Sequence, residues 1–246
     1  MKKNKKNNRA ISLRHNYSSS LVIMKKNKKN NWRMKRRRKM LVFGFVFTIL
    51  LVSVAYYAFT RPNYVTLTVE VSSPHDDART FITTVGDEGY GDEDGGWAML
   101  QLAPSYSFGV RFVNVTVPHG AKVKDAYVEL YSVGTPGHDH PNCRIYCDAS
   151  DNADNFSVRG VLDRCGRVYT ENFTRWNETV SYGKWIKTPS IAPQVQEVIN
   201  RENWTSGNAI AVLFVSEGLR GYSATFQNYE NGYPARLHIV FEKKRG

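Results

Sequence analysis

At 246 residues, with 34 Lys or Arg against 22 Asp or Glu, the chain carries a formal charge of +12, a balance that suggests nucleic acid or an anionic membrane as partner. The charge is not evenly spread: residues Met1–Lys39 hold 16 of the basic residues and no acidic one, leaving 18 basic against all 22 acidic residues in the remainder, a net of −4. Beyond Lys39 nothing electrostatic points to nucleic acid.

The basic stretch carries MKKNKKNN at Met1–Asn8 and again at Met24–Asn31. Two copies do not make a solenoid. A local duplication or a translation start at Met24 accounts for them, and ten basic residues would still precede the next segment. Lys- and Asn-rich sequence with few large apolar side chains cannot build a core, so residues 1–39 are expected to be a disordered cytoplasmic tail. Topology setting is the favoured role, with an electrostatic hold on anionic lipid as the alternative.

Met40–Phe59 (MLVFGFVFTILLVSVAYYAF) has no charged residue over twenty positions. At about 1.5 Å per residue it spans roughly 30 Å, the thickness of the hydrocarbon core. The positive charges before it, against Arg61 alone just after it, predict an N-terminus inside and a C-terminal domain outside. A cleaved secretory signal is the rival, but the apolar run is long for one and no small-x-small site follows cleanly; two residues, not one, separate Ala55 from Ala58. A retained signal anchor in the cell membrane is the expectation.

Residues 60–66 read as a linker and the start of the first strand, and 67–246 as one extracytoplasmic domain. Period-two patterning begins at Tyr64–Val71, with Val65, Leu67, Val69 and Val71 on one face and Thr66, Thr68 and Glu70 on the other. Gly109–Val117 places Val113, Val115 and Val117 opposite Asn114 and Thr116. Lys122–Tyr131 alternates Ala126, Val128 and Leu130 against Asp125, Tyr127, Glu129 and Tyr131. Ile191, Val195, Val198 and Ile199 recur at helical spacing after Ser190, a predicted N-cap. Ala209–Val215 is apolar throughout, as in a central strand covered on both faces, and Arg236–Glu242 turns Leu237, Ile239 and Phe241 inward. Turn signals at Pro118–Gly120, Gly134–Gly137, Ser206–Asn208 and Asn231–Gly232 separate the runs. Together these predict an all-β fold, a jelly-roll β-sandwich with one short helix, preceded by a single transmembrane helix.

GVRFVNVTVPHGAKVKDAYVELY (Gly109–Tyr131) resembles a signature of secreted β-sandwich domains of the DNRLRE type, related to carbohydrate-binding modules. In that signature a strand ends in an aliphatic-Pro-x-Gly-Ala turn and leads to a second strand with an Ala-Tyr pair. Ser72–Ala78, Ala192–Phe214 and Pro234–Glu242 fit the same pattern. The resemblance covers roughly Val69 to Glu242 and implies a jelly roll outside the cytoplasm with a non-catalytic binding or structural role. The domain is expected to stand alone behind its anchor, a departure from the family pattern that weakens any inference that it targets a catalytic partner to a polysaccharide.

Cys143, Cys147 and Cys165 all lie in this domain, and an oxidising exterior permits one disulfide. Cys147–Cys165 or Cys143–Cys165 is preferred because the longer loop removes more unfolded-state entropy. The alternatives are free thiols, or zinc held with His138 and His140, although the spacing is not that of a standard finger. Asn114, Asn155, Asn172, Asn177 and Asn203 open five N-x-Ser/Thr sequons and are glycosylation candidates. Asp87, Glu88, Asp92, Glu93 and Asp94 crowd a Gly-rich loop (Gly86–Gly96) that could hold Ca²⁺, outside any EF-hand spacing. Asp148–Asn155 is a second acidic stretch, without the glycine an EF-hand turn requires.

Sugar recognition needs aromatic platforms beside polar groups. Trp97, Tyr222, Tyr229 and Tyr233 are the candidates, with Trp176 and Trp185 expected in the core. No nucleophile-elbow, zincin or phosphate-loop motif occurs, so no catalytic residue is assigned. The expected function is a membrane-anchored surface recognition or adhesion module, with glycans or cell-envelope proteins as partners. A self-assembling structural component is the alternative, and a hydrolase ranks third.

Overall fold

The computed structural model describes residues 3–60, 62–82, 88–89, 99–134, 140–162 and 166–243; side chains are described outside 3–23, 81–82 and 88–89. The chain divides into two units, Met1–Arg61 and Pro62–Gly246.

The first unit is a single helix, α1 (Lys3–Thr60). Its Met24–Thr60 portion contains a stretch long and apolar enough to cross a membrane, and every residue from 24 to 60 is exposed. Within the apolar run the hydroxyls of Thr48 and Ser53 donate to the carbonyls of Gly44 and Leu50, both at 2.8 Å. Such bonds satisfy polar groups without water. The helix also runs through the stretch expected to be disordered. Lys, Arg and Met are good helix formers, and extending an existing helix requires no new nucleus.

The second unit is mostly antiparallel sheet. Its first six strands are β1 (Tyr64–Glu70), β2 (Asp77–Ile82), β3 (Glu88–Gly89), β4 (Met99–Leu102), β5 (Tyr106–Phe112) and β6 (Val123–Tyr131). There follow β7 (Cys143–Cys147), β8 (Thr174–Trp176), β9 (Trp185–Lys187), the short helix α2 (Ala192–Ile199), β10 (Ile210–Ser216), β11 (Ala224–Gln227) and β12 (Arg236–Glu242). The strands pair in the orders β1-β12-β6-β9, β3-β2-β5-β10-β7-β8 and β11-β4. One core takes side chains from both large sheets: Ala126, Val128, Leu130, Leu237 and Ile239 from one, Phe108, Val110, Phe112, Ile145, Val212 and Phe214 from the other.

β10 shows why an unbroken apolar run belongs at the centre of a sheet. Ile210, Val212 and Phe214 enter the main core, while Ala211 and Leu213 on the opposite face join a second cluster with Ala153, Phe156 and Val161. The Phe156 ring closes on the backbone of Gly109, where a Cβ would come within 2.6 Å of it. Residues 148–162 are fixed over this face by Arg167. Its fully buried guanidinium pairs with Asp148 at 2.6 Å and donates to the carbonyls of Gly160, Asp154 and Arg159.

Two elements depart from expectation. The strand anticipated over Gly109–Val117 ends at Phe112 because Asn114 takes a left-handed conformation, φ 57°, which breaks the ladder. Val115 and Val117 are still buried. Their backbone is served by a loop instead: Val115 N–H donates to Asn208 O, Gly207 N–H to Val115 O, and Trp204 Nε1 to Val117 O. The helix α2 buries Val195, Val198 and Ile199 at the expected spacing, but its N-cap is Ile191, which makes no side-chain cap bond. The Ser190 hydroxyl, one residue earlier, donates to Asp125 at 2.6 Å and accepts a long bond from the Ala192 N–H at 3.5 Å.

Candidate functional site

Side chains alternate across a strand, so whatever the core does not take from β1, β12, β6 and β9 stands on the outer face of their sheet. The register arranges these side chains in rows. Glu70 lies opposite Arg236, Arg236 opposite Glu129, and Glu129 opposite Lys187. The neighbouring row is Thr68, His238 and Tyr127, and beyond Lys187 on the other side Tyr131 lies opposite Trp185.

Within this face the aromatic and charged groups interlock. Tyr131 meets Trp185 edge-on at 5.6 Å and stacks on Tyr233 at 4.2 Å. The Arg236 guanidinium lies 4.0 Å over Trp185 and pairs with Glu70 at 2.7 Å. Tyr127 stacks on His238 at 4.7 Å, with the Lys187 ammonium 3.5 Å over its ring. His238 Nε2 meets Glu129 at 3.0 Å and its Nδ1 meets Thr68 Oγ1 at 3.0 Å. Lys187 also lies 3.5 Å from Asp125. Nearly every charge has a partner of the opposite sign, so the face is a polar-aromatic surface rather than a field of one sign.

Tyr233 is set by the 228–233 loop. Tyr229 N–H donates to Asp77 Oδ2 at 2.8 Å, and Asn228 accepts from Asn231 and Tyr233 N–H at 3.3 Å. Asp77 is buried. Burial pushes its carboxyl up to about 7; the Tyr229 bond opposes this, while Glu230 and Asp76 add to it. Asp76 itself pairs with Arg111.

The sequence candidates are distributed unevenly. Tyr233 joins the face, 36% exposed. Tyr222 is exposed but packs edge-on to His140 at 6.3 Å, and Tyr229 packs against the core. Trp97 lies outside the described residues. Trp176 is buried as expected, but Trp185 is a half-buried member of the face rather than core. Tyr127, Tyr131, Arg236 and His238 were not singled out from the sequence. Their only signal was an outward position in an alternating run, which does not reveal which strands are neighbours.

Asp87, Asp92, Glu93 and Asp94 lie outside the described residues, as does the side chain of Glu88. In the second acidic stretch Asp148, Asp151 and Asp154 are engaged with Arg167, Arg201 and Arg159 at 2.6–2.9 Å, so arginine takes the place of a cation there. Among the described residues no three His, Cys, Asp or Glu side chains converge as metal ligands. The expected disulfide is not formed: Cys143 and Cys147 are buried free thiols, and Cys165 lies outside the described residues. The first two cannot bridge each other, because four residues along a strand separate them by about 13 Å. Burial pushes both thiols upward, with Glu217 adding for Cys143 and Asp148 for Cys147. Of the sequon residues, Asn114, Asn172, Asn177 and Asn203 are exposed, whereas Asn155 is half-buried and accepts from Val158 N–H.

No protein-family model and no curated protein matches the chain. Solved structures that resemble it include a carbohydrate-binding module specific for non-crystalline cellulose, at 11% identity over 68% of this chain and 80% of that one, TM-score 0.26. A second is an exo-β-1,3-galactanase from Phanerochaete chrysosporium with β-1,3-galactotriose, at 11% identity over 71% of this chain but 29% of that one, TM-score 0.26. A third is the Mud crab tombus-like virus, at 9% identity over 76% of this chain and 83% of that one, TM-score 0.30.

Proposed function

We propose that the chain is a membrane-anchored, non-catalytic recognition module of jelly-roll architecture, and that the outer face of its four-stranded sheet receives a glycan. The grouping of Trp185, Tyr131 and Tyr233 beside the row Glu70–Arg236–Glu129–Lys187 carries this reading. Aromatic rings give a sugar an apolar surface to lie on, and the flanking donors and acceptors fix its hydroxyls. The jelly roll is supported by a strand order in which consecutive strands cross between sheets (β6 in one, β7 and β8 in the other, β9 back, β10 across, β12 back). The basic stretch ahead of Met40 supports an N-terminus held inside.

Binding of the full-length chain, in detergent micelles, to an array of neutral and acidic glycans tests the reading. Trp185→Ala and Tyr233→Ala should each weaken binding about tenfold, or 1.4 kcal/mol, while Tyr222→Ala leaves it unchanged. An array on which the wild-type chain binds nothing, or a Trp185→Ala protein of wild-type affinity, would sink it. Turnover of any bound glycan would overturn the non-catalytic part alone.

A self-assembling envelope component is the second reading, favoured by the edge position of β1, whose seven residues pair only with β12 among the described residues. Such an edge is a template for another chain. Crosslinking in intact membranes that captures only monomers would count against it.

A further inference from the structure

The basic half of α1 has no counter-charge of its own. Ten Lys or Arg fall between Met24 and Lys39, every one exposed, and the sequence of Met1–Arg61 contains no Asp or Glu. Like charges three and four residues apart on a helix repel. Lys25 faces Lys28 and Lys29, Arg33 faces Arg36 and Arg37, and Lys35 faces Arg38 and Lys39. An anionic counter-surface relieves that repulsion.

Distance along the helix divides the ten into two groups. At about 1.5 Å per residue, Arg33 to Lys39 lie within about 10 Å of Met40. Lys25 to Lys29 lie about 16–23 Å away. The headgroup layer is roughly 5–8 Å deep on each side of the hydrocarbon, and screening beyond it decays over about 8 Å. The six nearer charges therefore lie in or close to the phosphate layer, and the four farther ones lie largely beyond its field. Trp32 stands just past the nearer group with the Arg36 guanidinium 5.3 Å over its ring.

We propose that Arg33–Lys39 is a binding site for anionic phospholipid headgroups in the leaflet where α1 enters the membrane. It rests on Met40–Phe59 being a membrane span and is independent of the glycan reading. A nucleic acid would engage all ten charges alike, whereas a lipid surface engages the nearer six.

The test reconstitutes the full-length chain in phosphatidylcholine vesicles with a trace of spin-labelled phosphatidylserine or spin-labelled phosphatidylcholine, and measures the immobilised fraction of each. A severalfold preference for phosphatidylserine is expected, falling as salt is raised. Replacing Arg33, Lys35, Arg36, Arg37, Arg38 and Lys39 together by Gln should abolish it. Replacing Lys25, Lys26, Lys28 and Lys29 by Gln should leave most of it, as should changing the four arginines of the nearer group to Lys. The wild-type salt series keeps the test decisive if the six-fold variant does not insert. Equal immobilisation of the two lipids, a preference indifferent to salt, or an equal loss from the farther variant would each overturn the proposal. Failure of the chain to float with vesicles would overturn the span and this site together, leaving glycan binding intact.

Discussion

Asp77 shows how position sets the chemistry of a side chain. Its carboxyl titrates at about 7 against an ordinary 3.8, chiefly because it is buried, with Glu230 and Asp76 nearby. The folded state therefore holds a proton that the unfolded state releases from about pH 4 upward. The stability this contributes is present below that point and is lost as pH rises through 7, a span on the order of 4 kcal/mol. Asp77→Asn keeps an oxygen for the Tyr229 amide and cannot ionise. It should match the wild type in urea denaturation at pH 4 and exceed it at pH 8; parallel pH profiles would refute this. Arg167 is the opposite case, a buried cation with every side satisfied. Arg167→Met strands Asp148 and several carbonyls, and should cost about 3–5 kcal/mol by the same measurement. Neither residue stands out in the sequence. One Asp of a Ser-Pro-His-Asp-Asp-Ala run and one Arg near a cysteine acquire their roles from what lies over them.

The strands were legible wherever alternation was unbroken and pairing was regular, as in Tyr64–Glu70, Val123–Tyr131 and Arg236–Glu242. Val113–Val117 also alternates, yet it is not a strand, because Asn114 takes a positive φ and Trp204, Gly207 and Asn208 serve the backbone that a ladder would have used. Asn114→Gly should therefore be tolerated, whereas Asn114→Val should lower the unfolding free energy by about 1–2 kcal/mol, read from the denaturation midpoint. Equal midpoints for the two variants would argue that the conformation at 114 is not strained. At the start of α2, Ser190 serves two partners: its hydroxyl donates to Asp125 on β6 at 2.6 Å and accepts from the Ala192 amide at only 3.5 Å, so the cap is weak. Where a side chain has two uses, the partner supplied by the tertiary structure sets its geometry and the local one is left with the longer bond.

For the whole molecule, the core of Pro62–Gly246 is drawn from its own strands and helix. That fragment should stay soluble and unfold in one cooperative transition by calorimetry, while the full-length chain resists extraction from membranes at alkaline pH. Extraction of the full-length chain would remove the anchor. The sequence alone determined what depends on composition and period: a charge-free run of bilayer length, a basic stretch ahead of it, an all-apolar strand wanting cover on both faces, and a β-rich domain. Those properties are local, since a few neighbouring residues fix them. Which strands lie side by side depends on contacts across more than a hundred residues, such as Glu70 with Arg236 or Tyr127 with His238. Hence the polar-aromatic face, the burial of Asp77 and the free thiols at Cys143 and Cys147 were decided only when the sheets closed on a common core.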